Sequence, residues 1–156
     1  MSKARVDFLK KVSIFEGLTD KDIEKVESIC KTSEKKENDI VFIEQSIGKE
    51  LYIVLEGEVA IQIELISPEE FVPIRKMCPG DVFGELALID TGARSATARC
   101  SKASKFIIIE REEFLTLLEA DHRFGYIVMR NLARLVCGRI RQTNQRLLDN
   151  VSWGLV

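Results

Sequence analysis

The feature that most constrains this chain is a change of hydrophobic period along it. Val59, Ile61, Ile63 and Leu65 alternate with Glu58, Ala60, Gln62 and Glu64. That is the period of a strand with one face in water, and such strands belong to antiparallel sheets. Comparable short runs lie at 40–44, 50–55, 71–77, 96–100 and 105–110, divided by turn signals at Ser46-Ile47-Gly48, Glu56-Gly57 and Pro79-Gly80-Asp81. Evenly spaced short strands of this kind argue for a closed or double-sheet β structure.

On both flanks the period becomes helical. Leu18, Ile23, Val26 and Ile29 fall near one helical face, with Thr19 or Asp20 available as the N-cap. After Glu110 come a short stripe, Phe114, Leu117 and Leu118, and then a proline-free stretch over 122–150. Its apolar members include Ile127, Val128, Leu132, Leu135, Val136, Ile140, Leu147 and Leu148. The chain therefore reads as a helical start, about eight short strands, a short helix and a long one. At 156 residues it is long enough to bury about 70% of its extended surface and too short for two independent domains. A single domain 1–156 is expected, with a helical segment over 1–35, a β-roll over 36–110 and helices over 111–156.

Charge and composition exclude several functions. Lys plus Arg is 23 against 25 for Asp plus Glu, which does not favour nucleic-acid binding through bulk charge. No run of 18 apolar residues and no signal-peptide pattern occurs, so a cytoplasmic protein without membrane contact is expected. Cys30, Cys78, Cys100 and Cys137 form no CxxC pair and have no nearby His; they are read as reduced and mostly buried. The single histidine, His122, reads as a surface residue at a helix start. No metal site, cofactor site or catalytic residue set is therefore expected, and the chain is not read as an enzyme.

Ligand chemistry concentrates in residues 79–100, P-G-D-V-F-G-E-L-A-L-I-D-T-G-A-R-S-A-T-A-R-C. An interrupted strand, Gly84, an acid and one apolar helical turn precede a Gly-containing loop and Arg94. A short helix starting beside Gly84 turns backbone N–H groups outward, and Arg94 can grip two phosphate oxygens at once. Glu85 is suited to a sugar hydroxyl rather than to phosphate. Small residues at Ala87, Ala96 and Ala98 leave room inside a barrel. On spacing alone, an internal Glu85–Arg94 salt bridge closing the loop is the competing explanation.

The strings F-G-E-L-A-L at 83–88 and R-S-A-T-A at 94–98 resemble the phosphate-binding cassette of cyclic nucleotide-binding domains, as in the catabolite activator family and the regulatory subunit of cyclic AMP-dependent kinase. G-K-E-L-Y-I-V-L-E-G-E-V at 48–59 resembles the family's glycine-punctuated strand pair, and P-G-D-V-F-G-E at 79–85 its entry to the cassette. The resemblance implies a mainly β fold, a double-stranded β-helix (jelly-roll) barrel with N-terminal helices and a long C-terminal helix. It implies ligand contacts from Phe83, Gly84, Glu85, Leu86, Ala87, Arg94, Ser95, Ala96 and Thr97. Glu85 is then the partner of the ribose 2′-hydroxyl and Arg94 of the phosphate oxygens. Gly84, Leu86 and Ala87 present backbone groups, and Ser95 offers its hydroxyl to phosphate or base.

The implied ligand is a 3′,5′-cyclic mononucleotide, cyclic AMP ahead of cyclic GMP, sensed by movement of the C-terminal helices. The activator relatives continue into a helix-turn-helix unit absent from these residues, so direct DNA binding is not expected. A protein interaction module with a vestigial pocket and the sensor fragment of a larger regulator are the alternatives, and a downstream protein partner is not named by any motif. Val128, Leu132, Leu135 and Arg139 recur as a seam for a parallel homodimer, with Gly138 permitting close approach. Arg139, Arg141 and Asn144 are candidates for the base edge, and Trp153, with Val151 and Leu155, for closing over the purine.

Overall fold

A computed structural model describes residues 3–64, 71–90 and 92–154, with side chains for all of these except Glu64 and 150–154. The expected strand end at Leu65 and the tail contacts of Val151, Trp153 and Leu155 lie outside the described residues and side chains. The chain opens with α1 (Lys3–Leu9), a 3-10 turn (Ser13–Phe15) and α2 (Asp20–Ser28). Eight strands follow: β1 (Cys30–Lys35), β2 (Ile40–Phe42), β3 (Glu50–Glu56), β4 (Val59–Glu64), β5 (Phe71–Met77), β6 (Val82–Phe83), β7 (Thr97–Cys100) and β8 (Ser104–Glu110). The one-turn helix α3 (Leu86–Ile89) interrupts them, and α4 (Arg111–Ala120) and α5 (His122–Gly154) close the chain.

The strands form two antiparallel four-stranded sheets, ordered β1-β8-β3-β6 and β2-β7-β4-β5. This is the jelly-roll arrangement that the regular strand spacing requires. In the first sheet β3 and β8 are apolar on both faces. Leu51, Ile53, Ile107 and Ile109 join the cluster under the helices, whereas Tyr52, Val54 and Phe106 belong to the cluster inside the roll. The continuous runs L-Y-I-V-L and F-I-I-I follow from that double burial.

β1 corrects the expected extent of the helical start. Residues 30–35, C-K-T-S-E-K, carry no apolar alternation, yet they pair in register with β8 from Cys30 opposite Ile109 to Lys35 opposite Ser104. An edge strand of this kind is held by its ladder and by exposed cross-strand ion pairs, Glu34 with Lys105 at 2.8 Å and Lys31 with Glu110 at 2.5 Å, and not by apolar side chains. Before it, Thr19 caps α2 reciprocally: its backbone N–H donates to Asp22 at 2.9 Å, and its hydroxyl accepts from the Asp22 N–H at 3.3 Å. Buried Asp22 also receives the Arg123 guanidinium, which ties α2 to α5.

α5 spends on its own domain the residues expected to form a dimer seam. Val128 and Leu132 are fully buried in the cluster with Ile14, Phe15, Phe114 and Phe124, and Leu135 packs against it. The buried Asn131 amide donates to Ile14 O at 3.2 Å and Glu16 O at 2.8 Å, clamping the 3-10 turn. Among the described residues no close approach explains Gly138, where a Cβ would meet open space. His122 lies exposed at the start of α5, while Cys78 and Cys137 are exposed, contrary to the expectation of mostly buried thiols.

Candidate functional site

The cassette is built by a reversal of the chain at Gly84. β6 ends there, Gly84 takes φ +72°, and Glu85 stands at the start of α3 without a side-chain capping bond before the chain turns at Asp90 to bring Arg94 back alongside. The Gly92 N–H donates to the Asp90 carboxylate at 2.6 Å and fixes that turn. Glycine is needed at Gly84 for its φ and for space, since a Cβ would stand 2.6 Å from an Arg94 Nη1. At Gly48 space alone decides, because a Cβ there would lie 2.5 Å from Arg94 Nε.

Arg94 is the electrostatic centre. Only 5% of it is exposed, and its guanidinium lies 4.1 Å from the centroid of the Phe42 ring. Nη1 donates to Gly84 O at 3.0 Å, and Nη2 to Glu50 O at 2.9 Å and to a Glu50 carboxylate oxygen at 3.3 Å. Nε is buried without a hydrogen-bond partner. Burial draws its pKa below the ordinary guanidinium value, and Tyr52, Glu50 and Glu85 partly oppose that; the group stays charged.

Glu85, also 5% exposed, does not pair with Arg94. Its carboxylate meets the Arg139 guanidinium of α5 at 2.5 Å, and Arg139 donates as well to Val82 O. The loop-closing Glu85–Arg94 bridge considered from spacing is thus replaced by two separate pairs, Arg94 with Glu50 and Glu85 with Arg139. Further along, Arg75 donates to Gln142 at 2.5 Å and Arg146 to Ile74 O, so α5 is fastened across the roll.

Between the cassette, β4, β5 and α5 lies a cavity of about 370 Å³. That is ample for a small ligand, within the roughly 300–1,000 Å³ of typical sites. Phe83, Gly84, Glu85, Leu86, Ala87, Arg94, Ser95 and Ala96 line it; Thr97 does not. The Thr97 hydroxyl instead accepts the Glu44 N–H at 3.0 Å and secures the start of β7. Ala98, expected to leave room for ligand, is packed in the roll interior. The Ala87 N–H is directed at Gly84 O at 3.3 Å, a weak internal contact.

Residues 33–121 match the family model described as the cyclic nucleotide-binding domain. The chain belongs to that family. It is 27% identical over 139 residues to the cyclic AMP receptor protein of Thermus thermophilus, covering 89% of this chain and 62% of that protein. To a cGMP-dependent protein kinase of Drosophila melanogaster it is 30% identical over 124 residues, 76% of this chain and 13% of the kinase. The chain thus spans less than two thirds of the curated relatives it matches. Among solved structures, the Thermus thermophilus catabolite activator protein superposes with a TM-score of 0.76 at 27% identity, covering 90% of this chain and 63% of that one. The Toxoplasma gondii PKA regulatory domain crystallised with cAMP gives 0.75 at 25%, covering 86% and 49%.

In this cyclic nucleotide-binding domain, the wall that sequence reasoning found only in part lies beyond the matched segment. Val136, Arg139, Ile140, Thr143 and Asn144 of α5 face the cavity, opposite Ile61 and Ile74 of the roll. Arg139 and Asn144 were among the candidates, while Arg141 does not line the cavity. The signal for Thr143 was its spacing, since 136, 139/140 and 143/144 recur every three to four residues on one helical face. Among the described residues, no helix is long and apolar enough to cross a membrane.

Proposed function

We propose that this domain binds a 3′,5′-cyclic mononucleotide, cyclic AMP ahead of cyclic GMP, and reports its occupancy through α5 without chemistry on the ligand. The observation that carries this reading is Arg94: a buried guanidinium in a cavity wall, with one carboxylate at 3.3 Å and an unpartnered Nε–H. A cyclic phosphate supplies an acceptor for that Nε–H and a second negative charge beside the guanidinium. Glu85 then serves the ribose, because one of its oxygens holds Arg139 and the other remains to accept a 2′-hydroxyl. Sharing that carboxylate between ligand and α5 couples occupancy to helix position. The preference for cyclic AMP is supported by the Thermus thermophilus relative named for that ligand, which covers 89% of this chain. Ser95, exposed at the cavity mouth, is assigned to the phosphate.

The reading includes a homodimer across α5, on a different face from the one the sequence suggested. Tyr126, Met129, Ala133, Ile140 and Leu147 recur at heptad-like spacing and are all exposed. Output then passes through the helices or a protein partner. Isothermal titration of protein freed of nucleotide by unfolding and refolding tests the ligand. Cyclic AMP should bind, and Arg94→Ala should weaken it by about 3 kcal/mol or more through loss of charge-assisted contacts. Unaltered affinity in that variant overturns the site; a tenfold advantage for cyclic GMP, about 1.4 kcal/mol, reverses the base preference. Sedimentation equilibrium giving a monomer at tens of micromolar, with and without nucleotide, rejects the dimer.

A further inference from the structure

Beside the nucleotide cavity, β5 and α5 enclose a second cavity of about 300 Å³. Arg75, Lys76, Arg134 and Arg139 line it, and Asp81 is the one carboxylate among its described lining residues. Two of these cations are already neutralised elsewhere, Lys76 by Glu58 at 2.5 Å and Arg139 by Glu85 at 2.5 Å. The other two are not. Arg75 meets only the neutral amide of Gln142, and Arg134 has no carboxylate partner among the described residues. The Asp81 carboxylate is turned back into its own loop, where it accepts the Cys78 N–H at 2.8 Å.

The cavity therefore presents two guanidinium groups without a carboxylate partner among the described residues. Burial, and then the neighbouring charges of Arg139 and Arg146, draw the Arg75 pKa down, and the more weakly acting Glu85 and Asp81 do not offset them. An oxyanion between Arg75 and Arg134 supplies the negative partner that neither has among the described residues, and two guanidinium forks suit a phosphate better than a spherical ion does. We propose that the cleft between β5 and α5 is an anion subsite that takes a phosphate group, separate from the phosphate position at Arg94. Arg75, Met77 and Arg139 wall both cavities, so the group can arrive as free phosphate or as the second phosphate of a ligand that spans the two.

Arg134 is the discriminating residue, since it lines the second cavity and not the first, and it is exposed enough to be replaced without disturbing the core. Nucleotide-free protein is titrated with inorganic phosphate against chloride at matched ionic strength, and separately with cyclic AMP and cyclic di-AMP. Saturable phosphate binding that survives Arg94→Gln and weakens about tenfold in Arg134→Gln supports the subsite with a free anion. A similar loss for cyclic di-AMP in Arg134→Gln, with cyclic AMP affinity unchanged, supports it with a spanning ligand. If Arg134→Gln leaves the affinity for both phosphate and cyclic di-AMP unaltered, the subsite is wrong. Phosphate binding abolished by Arg94→Gln alone assigns that anion to the nucleotide cavity and also overturns the free-anion form; the cyclic AMP titration of the unsubstituted protein stands apart from either result.

Discussion

Replacing Arg139 with Gln isolates the contact between α5 and the cassette. Gln has nearly the helix propensity of Arg, so α5 itself should be little affected. What is lost is the 2.5 Å pair with Glu85, whose side chain is 7% exposed, together with the donation to Val82 O. Breaking a fully buried pair costs about 3–5 kcal/mol because a charge is left without a partner. Here the orphaned carboxylate borders a cavity that water can enter, which moderates the loss to about 2–3 kcal/mol. For a domain of this size that corresponds to a fall in melting temperature of about 5–10 °C. Calorimetry of Arg139→Gln, Glu85→Gln and the double variant measures the coupling: with both charges removed no orphan remains, so the double variant should be about 1.5 kcal/mol more stable than the sum of the single losses predicts. Strict additivity would refute the view that this pair fastens the helix to the cassette.

Three other outcomes are expected. Burial raises the Asp22 carboxyl pKa, but hydrogen bonds from Thr19 and Arg123 outweigh it and hold the value at about 2; the resulting stabilisation, about 2 kcal/mol, is present above pH 4 and fades as the pH falls through about 2. Acid titration by circular dichroism should therefore find Asp22→Asn destabilised near neutrality and level with the unsubstituted protein at the acid end. Ellman's reagent should modify exposed Cys78 and Cys137 in the native state and spare Cys100 and Cys30, whose thiol is pushed up to about 12 chiefly by burial; denaturation should release all four. In chemical denaturation Leu132→Ala should cost about 2–5 kcal/mol, whereas Ile47→Ala, at a position 81% exposed and away from α5, should change stability by about 0.5 kcal/mol at most. Equal small effects would contradict the placement of Leu132 in the domain's own core.

What the sequence disclosed depended on whether the information was local. The run F-V-P-I-R-K-M defines β5 over the same residues as the structure, and Thr19 caps α2 through Asp22, three residues on. The glycine-flanked cassette was legible because its backbone demands fall within a dozen residues. Glu50, the partner of Arg94, is 44 residues away, and only sheet pairing brings the two together. The polar β1 was hidden because it has no apolar alternation, and its ion-pair partners on β8 lie more than 70 residues away. For α5 the periodicity marked apolar residues all around much of the helix, and sequence alone could not decide which of them faced inward. The docking of Asn131 on the 3-10 turn makes that decision: it rotates Val128 and Leu132 into the core and leaves Tyr126 and Met129 outside.

Because β3 and β8 are shared walls, adjacent residues in them answer to different selective demands. Ile53 sits beneath the helices and Val54 inside the roll, one peptide bond apart. Evolution can thus retune the seat on which α5 and α4 rest without reshaping the chamber behind it, simply by accepting changes at every second codon. Response and recognition become separately heritable traits written on the same strand, and a saturation scan along 51–54 and 106–109 should divide into two interleaved phenotypes.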